Sequence, residues 1–205
     1  MLDIIRLGAR PAPDGVLRAM FSARKSVFVD LLKWDVPVLG GAYEVDQFDD
    51  ANATYLVLSD AEGRHLGSAR LLPTTRPHIL DSFYPMLCDE GAPRGDGIYE
   101  VTRFCLDRSL TARERRKVRD TLVTALVDHA LAAGIHAYSA IAEMAWLQQI
   151  LAFGWRCRPL GLPHLIDGTM LGALRIEIGG DTPGLLVAAG IRATPTIGDS
   201  ALLAA

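Results

Sequence analysis

The sequence predicts an α/β chain of the α+β kind, a mixed sheet sandwiched by helices, and three observations carry that prediction. Strand-like and amphipathic runs follow one another in the order β, α, loop, β-β-β, α, β, α, β-β, which combines hairpins with two crossover helices. No GxGxxG follows a strand-like run, and no GxxxxGK followed by Ser or Thr occurs, so neither a dinucleotide-binding unit nor a phosphate loop is supported. The 205 residues are 50% hydrophobic, enough for a single domain over residues 1–205 with a full core.

The elements can be justified in order. Residues 2 to 7 are apolar enough for a first strand, and Asp14 suits the N-cap of a helix reaching about Leu32. The pattern then stops. Residues 33 to 52, KWDVPVLGGAYEVDQFDDAN, hold Pro37, Gly40, Gly41 and several carboxylates with no sustained period, and a loop that long tends to be functional. Two strand-like runs, TYLVLSD and RHLGSARLLP, are separated by Ala-Glu-Gly, which predicts a hairpin. Residues 73 to 96, rich in Pro and Gly, read as a second irregular excursion. IYEVTRFCLD is the next strand, and Ser109 or Thr111 caps a helix from about 112 to 133 that Gly134 ends. IHAYSAIAE then reads as a strand, MAWLQQILAFG as a short helix, and WRCRPLG and TMLGALRIEI as two more strands. The small apolar residues from about 181 read as a frayed tail.

A net charge of −3 argues against any general affinity for nucleic acid. No apolar run approaches the ~20 residues needed to cross a bilayer, and the N-terminus MLDIIRLGARPAPDG lacks a basic stretch followed by a long apolar one. A cytoplasmic protein without membrane insertion is expected. Cys88, Cys105 and Cys157 are odd in number and form no CxxC pair, which points to buried free thiols. His65, His78, His129, His136 and His164 have no ligand-like spacing, so no metal is expected.

Three arginines stand where the local pattern asks for apolar or half-buried side chains: Arg24 in the first helix, Arg70 in SARLLP and Arg103 in YEVTRF. A buried guanidinium needs partners, and Glu44, Asp46, Asp49 and Asp50 in the loop, with Glu100, are the acids available. Any one of these charges alone reads better as a solvated surface residue. Together, beside Phe28, Trp34 and Phe104, they offer stacking faces, a guanidinium fork for a carboxylate, and anions for an amine or sulfonium. A zwitterionic ligand with a flat ring suits such a site.

Arg24, Phe28 and Trp34, then Asp46 and Asp49 in EVDQFD, Arg70 in GSARLLPT, and Glu100 and Arg103 in YEVTRF resemble, in that order over residues 20 to 105, the acyl-homoserine-lactone synthases of the LuxI type. A weaker echo lies in WLQQILAFGW at 146 to 155. The resemblance implies a three-layer α/β/α sandwich with a mixed, mostly antiparallel sheet, similar to the GCN5-related N-acetyltransferases. It implies a quorum-sensing enzyme, an acyltransferase of autoinducer synthesis with two steps in one pocket. The α-amine of S-adenosylmethionine (SAM) attacks an acyl thioester on acyl carrier protein or coenzyme A (CoA). The methionyl carboxylate then closes on its own γ-carbon and expels methylthioadenosine (MTA). SAM is a substrate there, and no cofactor is implied.

By resemblance Glu100 is the catalytic carboxylate that takes a proton from the amine, a group that titrates near ~8 when free. Arg24, Phe28, Trp34, Asp46, Asp49, Arg70, Arg103 and Phe104 would form the SAM pocket and its ion-pair cluster, with direct ligands and scaffold pairs undistinguished among the arginines. The acyl chain would run against Ser139, Ile141, Met144, Trp146, Leu147 and Ile150, which read equally as plain core. The odd offset of Glu100 and Arg103 puts them on opposite faces of a regular strand, so a bulge or sharp twist is expected between them. Acetyltransferases of the resembled fold hold the CoA pyrophosphate in a glycine-bearing loop ahead of a helix, whereas LDRSLTARERRKVRD has no glycine. Arg113, Arg115, Arg116, Lys117 and Arg119 make that segment basic, either as a solvated face or as a docking surface for an acidic carrier protein. Two rivals remain: an N-acyltransferase of this fold using acyl-CoA on another amine, and a non-catalytic sensor of SAM or carrier protein.

Overall fold

The structure is a computed structural model that describes residues 1–6 and 14–193. After β1 (Leu2–Arg6), α1 (Asp14–Arg24) gives way to a π-helical stretch, Lys25–Leu31. The helix expected to run regularly to Leu32 therefore widens: Leu32 N–H donates to the Val27 carbonyl and Trp34 N–H to that of Phe28, at 2.9 and 2.8 Å. Within the long loop a two-rung hairpin forms from β2 (Val38–Leu39) and β3 (Tyr43–Glu44). β4 (Thr54–Ser59) and β5 (His65–Pro73) follow as the expected hairpin. The segment 73 to 96 holds two short helical pieces, α2 (Ile79–Phe83) and a 3₁₀ turn at Pro85–Leu87, too brief to leave a period in the sequence. Then come β6 (Ile98–Leu106), α3 (Ala112–Ala133), β7 (Ala137–Glu143), α4 (Met144–Leu151), β8 (Arg156–Pro159), β9 (His164–Ile166), β10 (Thr169–Glu177) and α5 (Thr182–Ala188).

The strands hydrogen-bond in the order β1-β4-β5-β6-β7-β10-β8, with β9 on β10. β6 and β7 run parallel, while β1 with β4 and β10 with β7, β8 and β9 run antiparallel, giving the mixed sheet expected. Two compact units emerge, Met1–Arg70 with Arg103–Ala125 and Leu71–Thr102 with Leu126–Ile191.

In the first unit β4 is buried along its whole length, which explains why TYLVLS shows no alternation. α3 begins with a capping box: Thr111 Oγ1 accepts from Glu114 N–H, and the Glu114 carboxylate accepts from Thr111 N–H at 2.8 Å and from its hydroxyl. The helix crosses β5 at Gly67, where an added Cβ would come within 2.8 Å of Val118 Cγ1. Of the two candidate caps Thr111 is the one used, and Gly134, at φ +70°, ends the helix as expected.

In the second unit Leu80, Leu87, Cys88 and Ala173 form a buried cluster, with Tyr84, Ile141, Leu160 and Leu171 packed against it. The ladder of β6 with β7 covers Ile98–Glu100 against Ala137–Ser139. The fraying expected from about 181 does not begin there. α5 carries Pro183 in its first turn and buries Thr182 and Leu186, which anchors the segment. The part of that tail from 194 onward lies outside the described residues. No described helix is long and apolar enough to cross a membrane.

Candidate active site

Three arginines and three carboxylates in the first unit form one closed network. Arg24, at the end of α1, directs Nη1 and Nη2 to the two oxygens of Asp49 at 2.8 and 2.9 Å and Nε to Glu44. Arg70, on β5, takes Asp46 in the same bidentate way at 2.6 and 2.9 Å and also meets Asp49 at 2.8 Å. Arg103, on β6, bonds Glu44 through Nε and Nη2 at 3.1 and 3.0 Å, and Asp46 through Nη2 at 2.8 Å. The turn after β3 supplies the acids at the right spacing. Asp46 Oδ1 accepts Phe48 N–H, and Asp49 Oδ2 accepts Asp46 N–H. Tyr55, from β4, donates its hydroxyl to Asp49 Oδ1 at 2.7 Å.

These groups answer burial with pairing. Desolvation pushes the Asp49 carboxyl up, but the bonds and charge of Arg24, the charge of Arg70 and the Asp46 N–H outweigh it and hold Asp49 well below the usual carboxylate range. Burial lowers the basicity of Arg24 and Arg70, and their carboxylate partners more than restore it. Burial and the Asp49 charge together raise the Tyr55 phenol.

Arg103 differs from its two neighbours. Its side chain is 10% exposed against 1% for Arg24 and 0% for Arg70, and Nη1 takes no part in the bonds above. Its guanidinium carbon lies 5.6 Å from the Phe28 ring centre and 5.8 Å from that of Trp34, which themselves stack at 4.7 Å and 17°. The π-helical stretch buries Phe28, while Trp34 keeps 38% of its surface exposed. Phe104 is half-buried. A cation over two stacked aromatics, with one free edge, can receive a planar ring and a carboxylate together.

The irregularity expected in β6 is present. Ile98, Glu100 and Thr102 are buried alternately, but the next buried position is Cys105, and Arg103 sits at φ +49°. One extra residue shifts the alternation, as a bulge does. Burial raises the adjacent Cys105 thiol to about 12, so it is an inert core group. Cys88 is likewise buried and free, and Cys157 is half-buried with its thiol raised to about 11 by desolvation.

Glu100 lies in the second unit, fully buried, where its carboxylate receives two backbone N–H groups from the start of α2: Ile79 at 2.8 Å and Leu80 at 3.0 Å. Ser139 faces it across the parallel ladder. Ser139 and Ile141 share one face of β7, Ile141 packing on the Leu80 cluster. Met144 and Leu147 lie on the other face, against Gly172, where Leu147 Cδ1 stands 2.7 Å from an imagined Cβ. Trp146 meets Phe153 edge-on, and Ile150 is buried, its carbonyl accepting from Trp155. The six acyl-pocket candidates thus divide between two faces of the sheet.

On α3, Arg113, Arg115, Arg116 and Lys117 are exposed, whereas Arg119 folds onto Asp120 at 2.6 Å. Asp50 caps its own turn at Asn52. The sequence offered Glu44, which bridges Arg24 and Arg103, only as one of the acids available to the arginines, and it did not point to Tyr55. The carboxylate of Glu44 was one of several in the loop, and Tyr55 was hidden in a uniformly buried strand. Among the described residues no group of three or more His, Cys, Asp or Glu side chains is placed to hold a metal ion.

The fold is that of an acyltransferase. An acyl-CoA N-acyltransferase from Pseudomonas aeruginosa is alike with a TM-score of 0.59 over 85% of this chain and 97% of that one, a likeness of fold alone at 14% identity. A nearer structure is BjaI, a CoA-dependent acyl-homoserine lactone synthase solved with SAM and isopentyl-CoA. Its TM-score is 0.83 at 29% identity, over 94% of this chain and 90% of that one. BjaI has also been solved with MTA. The acyl-homoserine-lactone synthase of Ralstonia nicotianae is 31% identical over 201 residues, 95% of this chain and 98% of the relative. Residues 13–181 match the sequence model of the autoinducer synthases. The chain belongs to the autoinducer synthase family, and it is an enzyme.

Proposed function

We propose that this acyl-homoserine-lactone synthase holds SAM on Arg103, Phe28 and Trp34, braced by the ion network, and uses Glu100 to take the amine proton. The activity is transfer of an acyl group from a thioester to the amine of SAM, followed by lactonisation, giving an N-acyl-L-homoserine lactone and MTA. The observation that carries the site assignment is the closed network itself. Arg24 and Arg70 spend their charge on Asp46 and Asp49, so they brace the loop, while Arg103 retains an unspent edge above an exposed indole. Aligned backbone dipoles fix the Glu100 carboxylate where it takes the amine proton, directly or through a bridging water. Loss of that proton frees the nitrogen pair to attack the thioester carbon, and the thiol leaves. The methionyl carboxylate then displaces the sulfonium sulfur from the γ-carbon. Both charges vanish in this step, so exclusion of water favours it.

For the donor, the first turn of α3 is instructive. Thr111 Oγ1 occupies the Glu114 N–H, and the Glu114 carboxylate adds negative charge at the helix start, where a pyrophosphate would approach. The exposed cations just beyond suit an acidic acyl carrier protein, steering it in a salt-dependent way. Likeness to BjaI, solved with isopentyl-CoA, favours acyl-CoA as the second reading.

The test supplies SAM with acyl-carrier-protein and acyl-CoA thioesters and measures lactone and MTA together. Equal yields are expected, and Glu100→Gln should lower turnover by roughly 10²–10⁴ while SAM still binds. Unchanged turnover would remove Glu100 from the chemistry. Reversing Arg115 and Arg116 to Glu should raise KM for the carrier-protein donor and flatten its salt dependence. If only acyl-CoA is used, the docking surface is refuted.

A further inference from the structure

The loop ahead of β6 and the link from β8 to β9 line a cavity of about 580 Å³ in the second unit, within the ~300–1,000 Å³ usual for small-molecule sites. None of the residues assigned above to SAM or to the acyl chain lines it. Three guanidinium groups reach it from three segments: Arg94 from the loop, Arg158 from β8 and Arg175 from β10. Arg158 stands directly opposite Arg175 in the antiparallel ladder, a placement of like charges that costs stability. Arg94 and Arg175 are held by acids outside the cavity wall, Asp81 at 3.1 Å and Glu177 at 2.6 Å. Arg158 is exposed and forms no ion pair among the described residues.

Asp89 and Glu90 line the same cavity, and neither forms an ion pair among the described residues. Asp89 is fixed in place. Its N–H donates to the Leu160 carbonyl at 3.0 Å, and its Oδ1 lies 2.8 Å from where a side chain on Gly161 would begin. Leu160 and Leu162 add apolar surface, Leu162 being 75% exposed. Opposite charges that share one cavity without closing on each other leave it polarised. A lone oxyanion would meet the arginines but also two carboxylates, and a lone amine would meet three guanidinium groups. A molecule that carries both charges answers both sets.

We infer that this cavity binds a small zwitterion, its oxyanion taken by Arg94, Arg158 and Arg175 and its ammonium group by Asp89 and Glu90. The site stands apart from the residues assigned to catalysis, so it does not rest on the synthase reading.

The test titrates the full chain calorimetrically, at low ionic strength, with four probes. 2-Aminoethyl phosphate and 3-aminopropanoate carry both charges, whereas ethyl phosphate and ethylammonium carry one each. At least one zwitterion should bind with a Kd of ~1 mM or tighter, and about tenfold or more tighter than either single-charge probe. The better of the two tells whether the oxyanion is a phosphate or a carboxylate. Arg158→Glu should weaken that binding by about tenfold or more. The same change sets a carboxylate opposite Arg175, so the melting temperature should hold or rise. Binding and stability then move apart, which a merely structural arginine would not produce. Failure of both zwitterions to bind, a single-charge probe that binds as tightly, or an affinity that survives Arg158→Glu overturns the inference. None of these outcomes bears on the synthase reading, which MTA release tests separately.

Discussion

Around Asp49 every charge is answered, three guanidinium groups by three carboxylates, with Tyr55 and the Asp46 N–H added. Around Glu100 the carboxylate is held by backbone amides, yet the His78 Nε2 and the Ser139 hydroxyl beside it have no partner. Apart from the open edge of Arg103, the first arrangement is complete before a substrate arrives and fixes a loop. The second leaves two buried polar atoms unmatched. Saturation of hydrogen-bonding capacity therefore separates bracing from binding better than the mere presence of charge does.

The largest effect expected from breaking this contrast is on the closed network. Asp49→Ala leaves Arg24, Arg70 and the Tyr55 hydroxyl short of a partner and should cost about 3–5 kcal/mol in urea unfolding, as loss of one member of a buried ion pair does. A loss under ~1 kcal/mol would mean that the remaining charges re-pair freely.

His65 lies outside both sites and tests burial without ionic pairing. Desolvation lowers its pKa to about 4, from a free value of about 6.5. Between those values the unfolded chain binds a proton that the folded chain does not. Stability should thus decline as pH falls from about 6.5 to about 4, by at most on the order of 3 kcal/mol, and this contribution should level off below that window. His65→Leu should abolish this part of the pH dependence, as followed by thermal melts at successive pH values. Asp49 acts in a lower window: its contribution is present above about 3.9 and is lost as pH falls through its depressed folded value.

Glu100→Gln should also destabilise, by about 1–3 kcal/mol, because a side-chain amide must turn its NH₂ toward one of the two backbone N–H donors. Equal melting temperatures for parent and variant would show that the start of α2 moves away. Smallest is Thr111→Ala, about 1 kcal/mol from loss of the α3 cap, read by chemical denaturation.

Much of this was legible. The hairpin of β4 and β5, the long helix ending at Gly134, and the three arginines that need partners follow from period and from the cost of burying charge. The break in β6 was legible too, from the odd offset of Glu100 and Arg103. Short pieces were not: α2 and β9 are too brief for any period to register. The π-helical stretch was invisible because an amphipathic run looks the same whether its backbone bonds span four residues or five. The α5 anchor was hidden by composition, since small apolar residues read alike in a tail and in a packed turn. Which arginine keeps an open edge depends on loop geometry, which no linear pattern records.

The π-helical stretch also bears on how this chain can diversify. A wide turn accommodates one residue more than the regular helix around it, so it is the natural scar of a single-codon insertion. Removing one residue from 25–31 should restore a regular helix and rotate everything after it by about 100°. Trp34 would then leave the face of Phe28, and Arg103 would lose one of its two rings. The aromatic platform is in this sense a one-residue device, gained or lost in a single step, whereas the ion network beneath it would have to be rebuilt charge by charge.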